Sequence, residues 1–199
     1  MSDFSFIFDY RSPYAYLANT QIHTLPVQPT YVPVDIVAVM DIVGNQPSPK
    51  CPAKARYAGL DAARWAALYQ VPFNANRALM QAMGKGEIAP DLFARAALAA
   101  QHLGVFAPFH EALFNAYWGT PVDLVSAQSR LAFLKHLQID QDVWAEAEKP
   151  FIAEQLASHV QHAAKQGVFG APSFLVGDEL FFGNDRLAMV RHALEAKHV

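Results

Sequence analysis

The sequence predicts an α/β protein whose small sheet is built from both ends of the chain, with an all-helical segment inserted between them. Three observations predict it. Strand and helix patterns alternate as β-α-β over the first 43 residues, no strand signal occurs between 44 and 166, and two short strands followed by a helix close the chain.

Residues 4–9, Phe-Ser-Phe-Ile-Phe-Asp, read as a short, mostly apolar strand. Ser12-Pro13 then starts a helix: the serine hydroxyl accepts from unpaired backbone amides, and a proline at the first helical position gives up no hydrogen bond. Tyr14, Leu17, Ala18, Gln21, Ile22 and Leu25 recur at helical spacing until Pro26 and Pro29 end the pattern. Residues 31–37 form a second strand, in which Pro33 points to an edge or a bulge. After Gly44 a Pro-rich loop leads into Ala-rich helical patterns over 52–69, 74–83, 90–103, 108–117, 126–137 and 142–166. Strands return at 173–176 and 180–182, joined by the turn Gly177-Asp178. Asn184 or Asp185 caps a last helix with Leu187, Val190 and Leu194 on its apolar face. The order β-α-β … β-β-α is the thioredoxin arrangement. It places a thioredoxin-like domain at 1–43 and 167–199 and a helical insertion at 44–166.

Composition excludes several classes of function. Hydrophobic residues make up 53% of the 199 and charged ones 17%, which suits a packed globular chain and not a disordered one. Net charge is −3 and no basic run is present, so no nucleic-acid partner is expected. Asp, Arg, Gln or His interrupts every apolar stretch well short of a membrane span. The first residues lack the basic and apolar regions of a signal peptide, so a cytoplasmic location is expected. Cys51 is the single cysteine, which leaves no intramolecular disulfide and no CxxC pair; it reads as a free loop thiol. Of eight histidines, His159 and His162 share a helix face, but no carboxylate or cysteine completes a metal set, and no metal is expected.

Three segments carry chemistry. Ser12 stands where a strand gives way to a helix. Backbone amides converge there on a site that stabilises an anion, although the same serine serves equally as a plain cap. Pro172 directly precedes a strand, either as an ordinary trans proline or as a cis peptide that turns backbone groups toward a ligand. Asp185 lies at a second helix start, where it pairs with an ammonium or simply caps.

Taken together, the motifs Asp9-x-x-Ser12-Pro13-Tyr14-x-Tyr16-Leu17, Gly44-Asn45-Gln46-Pro47, Pro52-Ala-Lys54-x-Arg56-Tyr57 with Asp61-x-x-Arg64-Trp65, Val168-Phe-Gly-x-Pro172 and Gly183-Asn-Asp-Arg186 extend over nearly the whole chain. In these the sequence resembles the 2-hydroxychromene-2-carboxylate isomerases, grouped with the kappa-class glutathione transferases in the DsbA-like branch of the thioredoxin superfamily. The resemblance implies glutathione as cofactor. Ser12 would stand where redox relatives carry the attacking cysteine and would hydrogen-bond the glutathione sulfur. A free thiol titrates near roughly 8.5, so this contact raises its thiolate fraction. Ala171, before a cis Pro172, would pair its backbone with the cysteinyl part of the cofactor. Asn184 and Asp185 would hold the γ-glutamyl end, and Asn45 and Lys54 would reach the tripeptide from the insertion. The implied reaction is cis–trans isomerisation of an aromatic hydroxy acid by reversible thiol addition. One or two of Tyr14, Tyr16, Tyr57, Trp65 and Trp118 would touch that acid, with Tyr14, Tyr57 and Trp65 the candidates. The chain departs from the family after Val71-Pro72-Phe73, where Asn74-Ala-Asn-Arg-Ala stands in place of a further Phe and Pro-rich stretch. The resemblance also implies a homodimer. A general glutathione transferase or peroxidase, or a non-enzymatic glutathione-binding relative, would share most of these residues; a disulfide oxidoreductase would need the cysteine that Ser12 replaces.

Overall fold

In β1 (Phe4–Phe8) the phenylalanines alternate onto one face and Ile7 faces the other, and all four side chains are buried. A strand that is apolar on both faces belongs inside a sheet. The computed structural model, which describes residues 4–197, places it there. The sheet runs β2-β1-β3-β4, with β2 at Thr30–Pro33, β3 at Ser173–Val176 and β4 at Glu179–Phe182. β1 pairs parallel with β2, Phe6 opposite Tyr31, and antiparallel with β3, Phe6 opposite Phe174. β4 returns antiparallel beside β3 through the turn at Gly177, whose φ of +60° suits glycine. On one face Phe6 stacks on Phe8 at 5.3 Å and on Phe174 at 5.2 Å. On the other, Ile7 and Leu175 pack with Val34, Ile36, Val39, Val160, Ala163 and Val168.

The helices are α1 (Pro13–Asn19), α2 (Ile36–Val43), α3 (Pro52–Tyr69), α4 (Arg77–Gly84), α5 (Leu92–His102), α6 (Phe106–Phe114), α7 (Ala127–His136), α8 (Val143–Ala147), α9 (Pro150–Lys165) and α10 (Leu187–Lys197). This is a thioredoxin-like α/β domain with a helical insert. Several elements differ from the sequence expectation. The first helix stops at Asn19, and residues Ile22–Thr24 form a separate 3-10 turn. The strand expected over 31–37 ends at Pro33, and α2 follows at once. The Asp35 side chain accepts from the amides of Val37 and Ala38 at 3.1 and 3.4 Å, and Gly44 ends the helix at φ +71°. Ile36 and Val37 are β-branched and read as strand by propensity, but capping together with burial of Ile36 and Val39 wins. The helix expected over 142–166 is two, because Pro150 cannot donate within a helix and instead opens α9. Before α10, a 3-10 turn at Asn184–Arg186 has Gly183 at its N-cap position and no side-chain cap.

Two compact units result, Met1–Val71 with His159–Val199, and Pro72–Ser158. Residues 1–3 and 198–199, included in the expected domain ranges, lie outside the described residues. The first unit holds the sheet together with α1, α2, α3 and α10. In the second, α5 is buried from Leu92 to Ala100, and Phe93 meets Tyr117 and Trp144 edge-on at 5.3 and 6.0 Å. Within the segment that departs from the family, Asn76 is buried. It caps α4 through the amide of Leu79, and its Nδ2 donates to the carbonyls of Ala116 and Val122.

Candidate active site

Ser12 is the N-cap of α1, extended at φ −90° and ψ 116°, and its Oγ accepts from the amide of Ala15 at 3.2 Å. The same hydroxyl donates to the carbonyl of Ala171 at 2.8 Å, across 159 residues of sequence. The Ala171–Pro172 bond is cis. Pro172 passes straight into β3, and its carbonyl accepts from the amide of Gly183 at 3.0 Å. The two groups expected to meet one cofactor are thus adjacent, each satisfied by the other.

A charged network fixes the turn before Ser12. Asp9, at the end of β1, is buried and accepts from the amide of Arg11 and from that of Ile36, both at 2.9 Å. The Arg11 guanidinium bridges Asp9 to Asp35, the cap of α2. Burial works against the charge of Arg11, but the two carboxylates more than offset it and its pKa is raised. The turn of Ser12 and the start of α2 are therefore one hydrogen-bonded piece, and the amide of Ser12 closes it onto the carbonyl of Asp9 at 3.0 Å.

Asn45, just past α2, donates from Nδ2 to the carbonyl of Phe169 at 2.7 Å and so reaches the loop that carries Ala171. Lys54 is exposed in the first turn of α3, a helix end that does not favour a cation. Cys51 precedes that helix, half-buried and free, and its side chain makes no cap. Asn184 is buried; the Tyr69 hydroxyl donates to its carbonyl at 3.2 Å. Asp185 remains accessible, paired with the neighbouring Arg186. Gly183 is required here: its φ is +106°, and a Cβ on it would stand 2.5 Å from Oδ1 of Asp185.

Of the five candidate aromatics, Tyr14 and Tyr57 are brought together by a residue to which the sequence reading gave no role. The carboxylate of Asp61 accepts from the hydroxyl of Tyr14 at 3.0 Å and from that of Tyr57 at 3.2 Å. Burial, the bond to Asp61 and the negative charges of Asp61 and Asp185 hold the Tyr14 phenol protonated, with its pKa well raised. Trp65 lies half-buried against Tyr69, ring centroids 5.4 Å apart. Tyr16 is buried, and Trp118 belongs to the other unit, where it stacks on Phe73 at 5.8 Å. Asp61 was visible only as part of a motif. Tyr69, the last residue of α3, carried no signal, since its partner is 115 residues away.

The hydroxyl of Ser12 at a helix start, beside the Ala171 carbonyl, and the accessible carboxylate of Asp185 lie in the same unit, whereas among the described residues no contact joins Lys54 to either. A hydroxyl and a carboxylate of this kind suit a small ligand with an anionic centre and an ammonium. Among the described residues no group of three or more His, Cys, Asp and Glu could hold a metal ion. None of the described helices is long and apolar enough to cross a membrane.

Residues 4–195 match the model of the DSBA-like thioredoxin domain. The chain is 32% identical over 200 residues to a 2-hydroxychromene-2-carboxylate isomerase from Pseudomonas sp. (strain C18), covering 95% of this chain and 88% of that protein. A solved structure of 2-hydroxychromene-2-carboxylate isomerase superposes with a TM-score of 0.78 at 24% identity, over 97% of this chain and 94% of the other. The cytosolic disulfide reductase DsbM from Pseudomonas aeruginosa, solved with GSH, has a TM-score of 0.64 at 15% identity, covering 98% of each chain.

Proposed function

Because the chain belongs to the DSBA-like thioredoxin domain family and, within it, to the 2-hydroxychromene-2-carboxylate isomerases, we propose that it isomerises an aromatic hydroxy acid of that class with glutathione as its cofactor. The observation that carries the reading is the pairing of Ser12 with Ala171. A hydroxyl at a positive helix end sits against the carbonyl of the residue before the cis proline that leads into β3, and the one cysteine of the chain lies elsewhere. Disulfide chemistry has no sulfur there to begin from. A thiol cofactor finds both a donor for its sulfur and a backbone acceptor for its amide.

The donor set fits glutathione group by group. Asp185 is accessible for the ammonium of the γ-glutamyl end, and its bond to Arg186 is an exposed pair of the kind that exchanges cheaply. Asn45 and Lys54 match the remaining amide and carboxylate groups. When bound, glutathione supplies a nucleophile that adds reversibly to a conjugated double bond, so that the bond can turn. Ser12 rotates its proton from the Ala171 carbonyl to the sulfur and stabilises the thiolate. The Asp9–Arg11–Asp35 network keeps that hydroxyl from drifting. Tyr14 and Tyr57 present their oxygens to the aromatic acid. A homodimer and a cytoplasmic location belong to the same proposal, the homodimer by family resemblance.

The test is ultraviolet monitoring of 2-hydroxychromene-2-carboxylate with the purified protein, after removal of glutathione and again after its return. The expected result is turnover that vanishes and is restored. Turnover that persists without glutathione, or that fails in its presence, contradicts the proposal.

A further inference from the structure

Of the 18 residues of α3, only Ala62 and Ala66 are buried, so polar contacts carry much of what fixes this helix. Asp61, near its middle, spends both carboxylate oxygens on phenols, Oδ2 on Tyr14 and Oδ1 on Tyr57. A carboxylate accepts only, and a phenol has a single proton. Both protons are therefore committed to Asp61, and each tyrosine has only lone pairs to offer a ligand.

We propose that Asp61 is a specificity-determining positioning residue: by claiming both phenol protons it makes Tyr14 and Tyr57 a pair of hydrogen-bond acceptors that select an aromatic acid bearing a hydroxyl donor. The inference rests on the isomerase reading and narrows it. Tyr14 occupies the second position of α1, directly after Ser12-Pro13, and lies within electrostatic reach of Asp185, so the acceptor stands beside the groups assigned to the cofactor. Its bond to a carboxylate makes its oxygen a stronger acceptor than a solvated phenol. A ligand hydroxyl finds a partner at that oxygen. An ether at the same place has no proton to give, and leaves the phenol lone pairs unpaired on binding.

The test uses two probes that differ only at this point, 2-hydroxycinnamate and 2-methoxycinnamate, titrated into the glutathione-loaded protein. The wild type is expected to favour the hydroxy acid by about tenfold or more. Tyr14→Phe removes the acceptor, and Asp61→Asn offers one amide donor that forces a phenol to turn its proton outward. In both variants the preference should fall to within about threefold, while glutathione affinity measured separately changes by less than about threefold. If Asp61 merely ties α1 to α3, the variants melt earlier and lose both probes equally with the preference intact, which overturns the inference. A wild type without the preference overturns it too. A loss of glutathione affinity with the preference unchanged also overturns it, since the acceptors then serve the cofactor's ammonium. Glutathione-dependent turnover with no preference contradicts this inference alone; a preference with no such turnover contradicts the isomerase reading alone.

Discussion

Ser12→Ala raises the pKa of the bound glutathione thiol by about one to two units and cuts turnover at neutral pH by about tenfold to a hundredfold. The lost contact is a charge-assisted hydrogen bond to an anion, on the order of 1.5–3 kcal/mol, and one pKa unit corresponds to about 1.36 kcal/mol. The sign follows from which form the hydroxyl stabilises. It donates to the thiolate and not to the thiol, so its removal favours the protonated form, and the rising limb of the pH–rate profile moves to higher pH. Ser12 also caps α1 and bonds Ala171 in the ligand-free chain, so the variant loses about 1–2 kcal/mol of stability as well. The two effects separate cleanly. A lower melting temperature with an unshifted pH–rate profile reduces Ser12 to a cap; a shifted profile assigns it the thiolate.

Acid weakens the second unit through His110. This side chain is buried in α6 between the rings of Phe106 at 4.6 Å and Phe114 at 5.0 Å, and burial lowers its pKa to about 3. The unfolded value is near 6.5, so between the two the unfolded chain holds one proton more, and stability falls as pH falls. The loss is about 2 kcal/mol between pH 6.5 and 5, and it levels off only below pH 3. Carboxylates such as Glu146, whose pKa the bond to Lys149 lowers, add their own losses only below about pH 4.5. The window from 6.5 to 5 therefore reports histidine. Denaturant unfolding at each pH should show this slope in the wild type and a flatter one in His110→Gln. Equal slopes would mean that another histidine, such as the partly buried His159, carries the acid sensitivity.

Much of this was legible in the sequence because its signals are local. The short apolar run Phe-Ser-Phe-Ile-Phe named β1, Ser12-Pro13 named the start of α1, and Gly177-Asp178 named the closing turn. The cis bond at Pro172 is one of the two conformations the sequence left open. What escaped was set by contacts far apart in the chain. Helix α2 hid behind the strand-like Ile36 and Val37, and only Asp35, Gly44 and the packing of Val39 decide it. As a cap Asn184 gives way to Gly183, and its burial and its bond from Tyr69 depend on α3 reaching it across 115 positions. Arg11 carried no sequence signal, since its bridge spans 24 residues to Asp35. Asp61 likewise lies 47 residues from Tyr14. The sequence named residue types suited to an anion and an ammonium, and the fold then decided which of them are already spoken for.

The most direct measurement is calorimetric titration of glutathione into the purified protein, with Asp185→Ala as its control. Asp185 is accessible, and an exposed ammonium–carboxylate contact of this kind is worth about 1 kcal/mol, or about fivefold in affinity. Saturable binding at one site per chain is expected, weakened by that factor in the variant. Absence of saturable binding, or equal affinity in both proteins, would contradict the proposed function.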